Sequence, residues 1–503
     1  MSDRFLVVGG DAAGMSAAGK AKRDDPDREV VVFERGDWVS YGACGIPYYV
    51  KGEIADIEEL QVVEPRKLVE ERGIDLRRRH EVVAVDPDAR TVTVEADGER
   101  YEEPYDDLLL ATGGRAALPD APGTDLEGVF AVRNLEAGRA LRSYVVREDD
   151  AEVPAHPDAG SGDGERLRSH LRETDVERVV VIGANKIGVE MAEAFVARGF
   201  DVHVVEAGPH VLPVFGPDVA DVVADHLRDS GVRLHLGTSV ERLVGEAEAE
   251  EGTGRATEEG TGRATEEGAR PAEGTDRVRA IETDAGRIEA EAVLCDVGVE
   301  PETDLAESAG IDLGETGAIR TDEFGRTGDD RVYAAGDCAE KRHLLTGEAV
   351  RWPYALAANR AGRAVGRTVA GRPTPVGGIV GTGVMKAFDR EVARTGLDDE
   401  QARAAGFDPV STTVTTITRA HYYPGWSRIV VHATADADSG RLLGTSMVGA
   451  EGAAHRINAV ATALHAGLTV EEVGRLDFGY APPFGPVWDP VLLAAKALGD
   501  ELE

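Results

Sequence analysis

Apolar residues gather in two short unbroken runs, and each run leads into a glycine-rich turn. Phe5-Leu6-Val7-Val8 precedes Gly9-Gly10-Asp11-Ala12-Ala13-Gly14. A helical segment from Met15 to Arg23 follows, then Val30-Val31-Val32-Phe33, which ends at Glu34. The order repeats at Val179-Val180-Val181-Ile182 and Gly183-Ala184-Asn185-Lys186-Ile187-Gly188. There the helix runs from Val189 to Arg198, and Val202-His203-Val204-Val205 ends at Glu206. Short continuous apolar runs bounded by turn signals predict strands buried on both faces.

Each unit therefore predicts strand, turn, helix and strand in the order of a mononucleotide-binding fold. The glycines let the backbone approach a pyrophosphate, and the helix N-terminus offers amides and the positive end of its dipole. Glu34 and Glu206 each follow their turn by about twenty residues, where a carboxylate accepts hydrogen bonds from a ribose diol. The third motif position departs from glycine in both turns, as Asp11 and Asn185. Asparagine is expected to tolerate unusual backbone angles there. Glu206, followed by Ala207 and Gly208, favours a free 2′-hydroxyl and repels a 2′-phosphate. This points to NADH over NADPH, with NADPH left open should an arginine stand nearby.

Two further stretches read as strands that deliver residues to a ligand. Tyr105 to Leu110 leads to Thr112-Gly113-Gly114, and Val332-Tyr333-Ala334-Ala335 leads to Gly336-Asp337. Beyond about residue 375 the pattern changes. Val410 to Arg419 and Ile429 to Ala433 alternate like antiparallel strands, and Ala453 to Ala466 predicts a helix. Two stretches have neither period. Residues 148–165 are acidic and rich in Gly and Pro. Residues 246–276 hold the tandem repeat Glu-Glu-Gly-Thr-Gly-Arg-Ala-Thr, at 250–257 and 258–265. Both read as loop insertions, the second lengthening a hairpin connection.

Composition narrows the partners. At 503 residues the chain has room for about three domains. Its net charge is -38, from 93 acidic and 55 basic residues. Such a surface repels nucleic acid and anionic membranes. Eight lysines in an acidic, Ala/Gly/Val-rich chain give the composition of a salt-accumulating halophile. No signal peptide and no membrane-length apolar stretch is evident, so a cytoplasmic location is expected. The three cysteines, Cys44, Cys295 and Cys338, form no disulfide framework, and zinc-site spacing is absent, so no metal is expected.

Cys44 is the chemical focus. It lies in Ser40-Tyr41-Gly42-Ala43-Cys44-Gly45-Ile46-Pro47-Tyr48-Tyr49. A dithiol flavoenzyme carries a second cysteine five positions on, where this chain has Tyr49. A lone redox thiol cycles through a mixed disulfide with a small thiol or through a sulfenic acid.

Together these motifs resemble the FAD-dependent pyridine nucleotide–disulfide oxidoreductases, and within them the single-cysteine branch of coenzyme A-disulfide reductases. Ala420-His421-Tyr422-Tyr423-Pro424-Gly425 and Tyr480-Ala481-Pro482-Pro483 are further marks of that branch. The resemblance implies an α/β fold of two Rossmann-like dinucleotide-binding domains and a C-terminal α+β dimerisation domain. The expected boundaries are 1–115 with 300–374 for FAD, 116–299 for NAD(P)H, and 375–503 for dimerisation. It implies that Gly9, Gly14, Glu34, Thr112, Gly113 and Asp337 hold FAD, that Gly183, Ile187, Gly188 and Glu206 hold the nicotinamide nucleotide, and that Arg35, Val82, Gly298 and Gly336 are further cofactor-binding positions. Ser16, Lys20, Arg23, Ser40, Arg72 and Asn359 match a coenzyme A site, where basic groups suit a polyanion. Tyr480, with Tyr422 or Tyr423, would reach the partner subunit's Cys44 in a homodimer and protonate a leaving thiolate.

Three positions depart from the family pattern. Ala43 stands where a polar Asn is common, Lys186 where an aromatic shields the flavin, and Ala12 where peroxidase and oxidase relatives carry a His. The implied activity is reduction of coenzyme A disulfide, or a related small disulfide, by NAD(P)H through Cys44–S–S–CoA. An NAD(P)H oxidase or a polysulfide reductase on the same scaffold is the alternative. A non-catalytic FAD- and NADH-binding sensor is the reading from another class.

Overall fold

The computed structural model describes residues 3–145, 176–247 and 276–503. They form two compact units. One comprises residues up to 46, 56–116 and 299–379, and the other comprises 47–55, 117–298 and 380–503.

The first unit is built on a five-stranded parallel sheet. Its strand order is Val332–Ala334, Asp107–Leu110, Arg4–Val8, Glu29–Glu34 and Asp75–Arg78. Phe5, Leu6, Val7, Val31 and Val32 have no measurable exposure, so both sheet faces are covered and unbroken apolar runs are required. Helix Ala12–Asp24 lies along helix Ala355–Val369. Their contact uses the smallest side chains. A Cβ on Gly362 or Gly366 would overlap the carbonyl oxygens of Ala13 and Ala17, so the two backbones meet directly. The unit also carries an antiparallel sheet, Glu81–Asp86, Thr91–Ala96 and Glu99–Pro104.

The second unit repeats the parallel arrangement. The order is Arg233–Leu236, Asp201–Glu206, Arg178–Ile182, Ala292–Cys295 and Val129–Ala131, all parallel. It also carries a three-stranded antiparallel sheet. Two of its strands, Val240–Gly245 and Val278–Thr283, pair on either side of the repeat-bearing segment. Residues 248–275 and the whole 148–165 insertion lie outside the described residues. The C-terminal part forms a five-stranded antiparallel sheet, ordered Gly383–Ala387, Arg390–Gly396, Leu442–Gly449, Arg428–Asp436 and Pro409–Ile417. Helices Ala453–Ala466 and Pro490–Leu502 accompany it. The fold is therefore α/β, with two Rossmann-like sheets and a C-terminal α+β portion. Among the described residues no helix is long and apolar enough to cross a membrane.

Both turn helices begin three residues earlier than the sequence pattern suggests, at Ala12 and at Lys186. Asp11 and Asn185 are their N-caps, with φ of -110° and -76°. Asn185 therefore occupies an ordinary extended conformation, and tolerance of unusual angles is not why it is accommodated. Its side chain instead donates from Nδ2 to the carbonyl of Asp296 at 3.0 Å.

Candidate active site

The two glycine turns share the same backbone and strand-end bonds. Gly9 donates to the carbonyl of Phe33 at 2.8 Å, and Gly183 donates to that of Val205 at 2.8 Å. Both first glycines have positive φ, 107° and 99°, which L side chains rarely adopt. A Cβ on Gly14 would overlap the carbonyl of Gly9, and one on Gly188 that of Gly183. The strand-end acids are held in the same way. Glu34 accepts from the amides of Gly10 and Gly36, each at 2.8 Å. Glu206 accepts from Ala184 at 2.8 Å and from Gly208 at 2.7 Å.

These features fit dinucleotides. Each turn opens onto the N-terminus of a helix of at least twelve residues, with a fixed carboxylate beside it. In the first unit Thr112 Oγ1 donates to the carbonyl of Glu302 at 2.6 Å, and Glu302 donates its amide to Gly113 at 3.0 Å. Gly113 has φ 78° and Gly336 has φ 96°. Val82 is buried in the core beneath this sheet, Asp337 is half-buried at the end of its strand, and Arg35 is exposed beyond Glu34. Lys341, unremarked in the sequence, is buried next to Asp337. It donates to the carbonyls of Gly336 at 2.7 Å and Ala339 at 3.2 Å. Burial holds its ammonium below the usual lysine range. In the second unit Ile187 and Gly188 open the helix, and Gly298 has φ 131°.

The cysteine segment is tied to the first turn. Ser40 donates its amide to Gly10 at 2.9 Å, and Tyr41 donates to Oδ1 of Asp11 at 3.2 Å. Ser40 itself has φ 51°, an uncommon conformation for a residue with a side chain. Gly42 donates to Leu60 at 2.8 Å, and a Cβ on Gly45 would overlap the Leu60 side chain. Cys44 sits in the short helical turn Ala43–Gly45, exposed, with helix Ile46–Lys51 following. Cys295 and Cys338 are buried, and burial raises both thiols, Cys295 to about 12. The position of a resolving cysteine is occupied by buried Tyr49, whose ring lies 4.2 Å from the Arg142 guanidinium carbon.

The six residues matched to coenzyme A belong to the first unit. Ser16, Lys20 and Arg23 share one face of helix Ala12–Asp24. Ser16 Oγ donates to Oδ1 of Asn359 at 2.5 Å, and Arg72 approaches the same helix at Gly19. Lys20 is already paired with Asp24 at 2.5 Å, whereas Arg23 and Arg72 are exposed. In the second unit the hydroxyls of Tyr422 and Tyr480 are 2.6 Å apart, and both residues are exposed. The Tyr422 hydroxyl pushes the Tyr480 phenol above its ordinary value. Tyr423 is exposed at the next position.

The sequence reading passed over one acidic cluster. Glu190 stands one turn after Lys186, and its carboxylate lies 3.4 Å from the Tyr48 hydroxyl. Burial drives Glu190 up to about 7, with Lys186 and Tyr48 opposing. Burial and Glu190 together push Tyr48 to about 12. One turn further on, buried Glu193 accepts from Lys51 at 2.7 Å, Lys386 at 3.1 Å and the Phe388 amide at 2.7 Å. A helical i, i+4 charge pair was the available sequence signal.

Comparison with known proteins agrees with this construction. Residues 3–362 match the pyridine nucleotide-disulphide oxidoreductase family, and residues 384–490 match its dimerisation domain. A CoA-dependent NAD(P)H sulfur oxidoreductase of Pyrococcus abyssi is 37% identical, with 98% of this chain and 97% of that protein covered. A coenzyme A disulfide reductase of Staphylococcus aureus is 25% identical, with 96% of each covered. Among solved structures, an NAD-dependent persulfide reductase from A. fulgidus superposes with a TM-score of 0.85 at 31% identity. That match covers 99% of this chain and 83% of the other.

Proposed function

The chain belongs to the pyridine nucleotide-disulphide oxidoreductase family, whose members use FAD and NAD(P)H, and on that premise we propose that it reduces a sulfur–sulfur bond at Cys44. Coenzyme A disulfide is the first substrate reading. One observation carries reduction at Cys44: it is an exposed thiol whose two fellow cysteines are buried. With Tyr49 in place of a resolving thiol, an oxidised Cys44 is either bonded to an external sulfur or carried as a sulfenic acid, and a sulfur acceptor takes the first course.

Bound FAD would supply the two-electron relay between NAD(P)H and sulfur. Gly9, Gly14, Glu34, Arg35, Val82, Thr112, Gly113, Gly336 and Asp337 would hold it, and the bonds from Ser40 and Tyr41 to the first turn would set Cys44 beside it. Gly183, Ile187, Gly188, Glu206 and Gly298 would hold the nicotinamide nucleotide. The Cys44 thiolate attacks a disulfide, forms a bond to one sulfur and expels the other as thiolate. Two electrons then split the Cys44–S–S–CoA bond and return the Cys44 thiolate with a second free thiol. Tyr480, fixed by Tyr422, would protonate the departing thiolate at the partner subunit's Cys44, with exposed Tyr423 as a neighbouring donor. Ser16, Lys20, Arg23, Ser40, Arg72 and Asn359 would bind the polyanionic part of coenzyme A. The working form would be a cytoplasmic homodimer adapted to high salt, with domains bounded near residues 115, 300 and 375.

A second reading is favoured by the 37% identity to the CoA-dependent sulfur oxidoreductase. In it the sulfur attacked by Cys44 belongs to a persulfide or polysulfide, and sulfide is the product. The deciding experiment follows NADH oxidation with CoA disulfide, with polysulfide in the presence and absence of CoA, and with oxygen alone. Thiol or sulfide formed in step with NADH supports reduction at sulfur. NADH consumed only with oxygen would overturn it in favour of an oxidase, and no turnover with any acceptor would leave the sensor reading.

A further inference from the structure

The duplicated turns allow a position-by-position comparison, and they differ at one place that matters. In the first unit the strand Asp107–Leu110 is followed by Ala111, whose amide donates to Val8 at 2.8 Å and whose carbonyl lies under Gly9. In the second unit Ala292–Cys295 is followed by Asp296, whose amide donates to Ile182 at 2.7 Å and whose carbonyl lies under Gly183. Ala111 and Asp296 are thus structural equivalents. Only Asp296 carries a carboxylate, and it turns onto the helix: Oδ2 accepts from the Gly188 amide at 2.6 Å. Asp296 is 7% exposed.

Gly188 is the third residue of helix Lys186–Ala197. Its amide belongs to the set that a helix N-terminus offers to a pyrophosphate. In this unit one of those amides is already taken by an internal anion. An arriving dinucleotide brings two more negative charges to the same helix end. The other titratable groups facing Asp296 do not relieve this. Glu190 projects from the helix and Glu206 from the end of strand Asp201–Glu206, and both raise its carboxyl further. The Cys295 thiol on its own strand is neutral by burial. Lys186 is the nearby cation, and it acts on Glu190.

We infer that Asp296 is a positioning residue of the nicotinamide-nucleotide site whose carboxyl must take up a proton when the pyrophosphate docks. In the first unit, where Ala111 stands at this place, the turn carries no such proton requirement. In that geometry burial pushes Asp296 up to about 7, with the Gly188 amide opposing, so the proton is exchanged near neutral pH. The sign follows. Below that value the carboxyl is already neutral and affinity is flat. Above it, binding must recruit a proton, and affinity falls about tenfold per pH unit until the bound form also ionises.

The test is calorimetric titration of the FAD-loaded enzyme with ADP-ribose, which transfers no hydride and whose pyrophosphate does not titrate in this range. Measurements at about pH 6, 7, 8 and 8.5, in buffers of differing ionisation enthalpy, give the protons taken up. The expected wild-type result is uptake approaching one proton at about pH 8, with a matching loss of affinity. Asp296→Asn should abolish the uptake and keep binding tight at high pH, whereas Glu190→Gln should retain the uptake. A merely structural role for Asp296 would change affinity without changing the proton count. No uptake by wild type between about pH 7 and 8.5 overturns the inference, with or without a folded variant. So does uptake undiminished in Asp296→Asn, or lost only in Glu190→Gln. Failure of ADP-ribose to bind at any pH would instead remove the nucleotide from this turn, and the inference with it.

Discussion

The carboxylate of Glu206 accepts the backbone amide of Ala184 at 2.8 Å, binding the end of one strand to the glycine turn after another. Because its other oxygen accepts from Gly208 at 2.7 Å, the side chain stands fixed before any ligand arrives. A fixed carboxylate has lone pairs left for a ribose 2′-hydroxyl and repels a 2′-phosphate. On the proposed reading it therefore has two separable duties, one in the fold and one at the ribose.

Substitution at Glu206 should expose both. Glu206→Ala should narrow the advantage of NADH over NADPH in kcat/KM. It should also destabilise the fold by about 2–4 kcal/mol through loss of two charged hydrogen bonds. Paired steady-state assays and thermal melts check the two effects. A wild-type preference for NADPH would refute the assigned ribose contact.

Cys44→Ser should keep bound FAD and its visible spectrum, since the thiol lies outside the turn proposed to hold the cofactor. Disulfide reduction should fall at least about a thousandfold, because an alcohol forms no mixed disulfide. Mass spectrometry of unreduced wild type should find a thiol adduct on Cys44, absent in the variant. Comparable reductase rates in both proteins would end the Cys44 mechanism.

Glu190 gives a pH signature in stability. Its carboxyl is pushed up to about 7, from an unfolded value of 4.5, mainly by burial. Below the unfolded value both states are protonated and burial carries no penalty. As pH rises between the two values, the unfolded chain releases its proton while the folded one keeps it, so stability falls, then levels off above about 7. Glu190→Gln removes this loss. It should be neutral near pH 4 and stabilising by up to about 3 kcal/mol above pH 7. Denaturant titrations at several pH values read this directly, and a pH-independent difference would place the cause elsewhere.

Much of the site was written in local sequence. Each glycine turn, its flanking strands and its terminal acid lie within about thirty residues, where apolar runs and glycine spacing carry the signal. What the sequence hid depends on distant pairing. Nothing in Ala292–Cys295 announces that the next side chain caps an amide 108 positions earlier. Tyr48 and Glu190 meet across 142 positions. The hairpin sheet at 81–104 also escaped notice, because Glu99–Pro104 is charged and largely exposed and shows little apolar alternation. The basic helix face read as a ligand surface is partly spent inside the fold, since Lys20 pairs with Asp24.

A net charge of -38 makes ionic strength a structural variable. Counter-ions shorten the reach of repulsion from about 30 Å at 0.01 M salt to about 3 Å at 1 M. The enzyme should lose FAD or activity in dilute buffer and regain it in molar KCl. Flavin fluorescence and NADH oxidation across a salt series test this. Full activity after hours at low ionic strength would remove the halophilic reading.

The phenols of Tyr422 and Tyr480 lie 2.6 Å apart, and Tyr480 is the donor proposed for a second subunit's Cys44. The Tyr422 hydroxyl raises the Tyr480 phenol above its ordinary value, so Tyr480 stays protonated throughout the neutral range and can donate. Tyr480→Phe should leave flavin reduction by NADH unchanged in stopped flow, since that step involves no departing thiolate. The later step, release of the reduced thiol, should slow by about 10²–10⁴-fold, the range for a positioned acid. Tyr422→Phe should slow it less, because the acid remains and only its partner is lost. If Tyr480 serves the other subunit, Cys44→Ser and Tyr480→Phe proteins mixed under subunit exchange form heterodimers with one intact site. Activity should then recover toward half of the wild-type value per heterodimer. Heterodimers that form without regaining activity would assign Tyr480 to its own subunit's chemistry or to none.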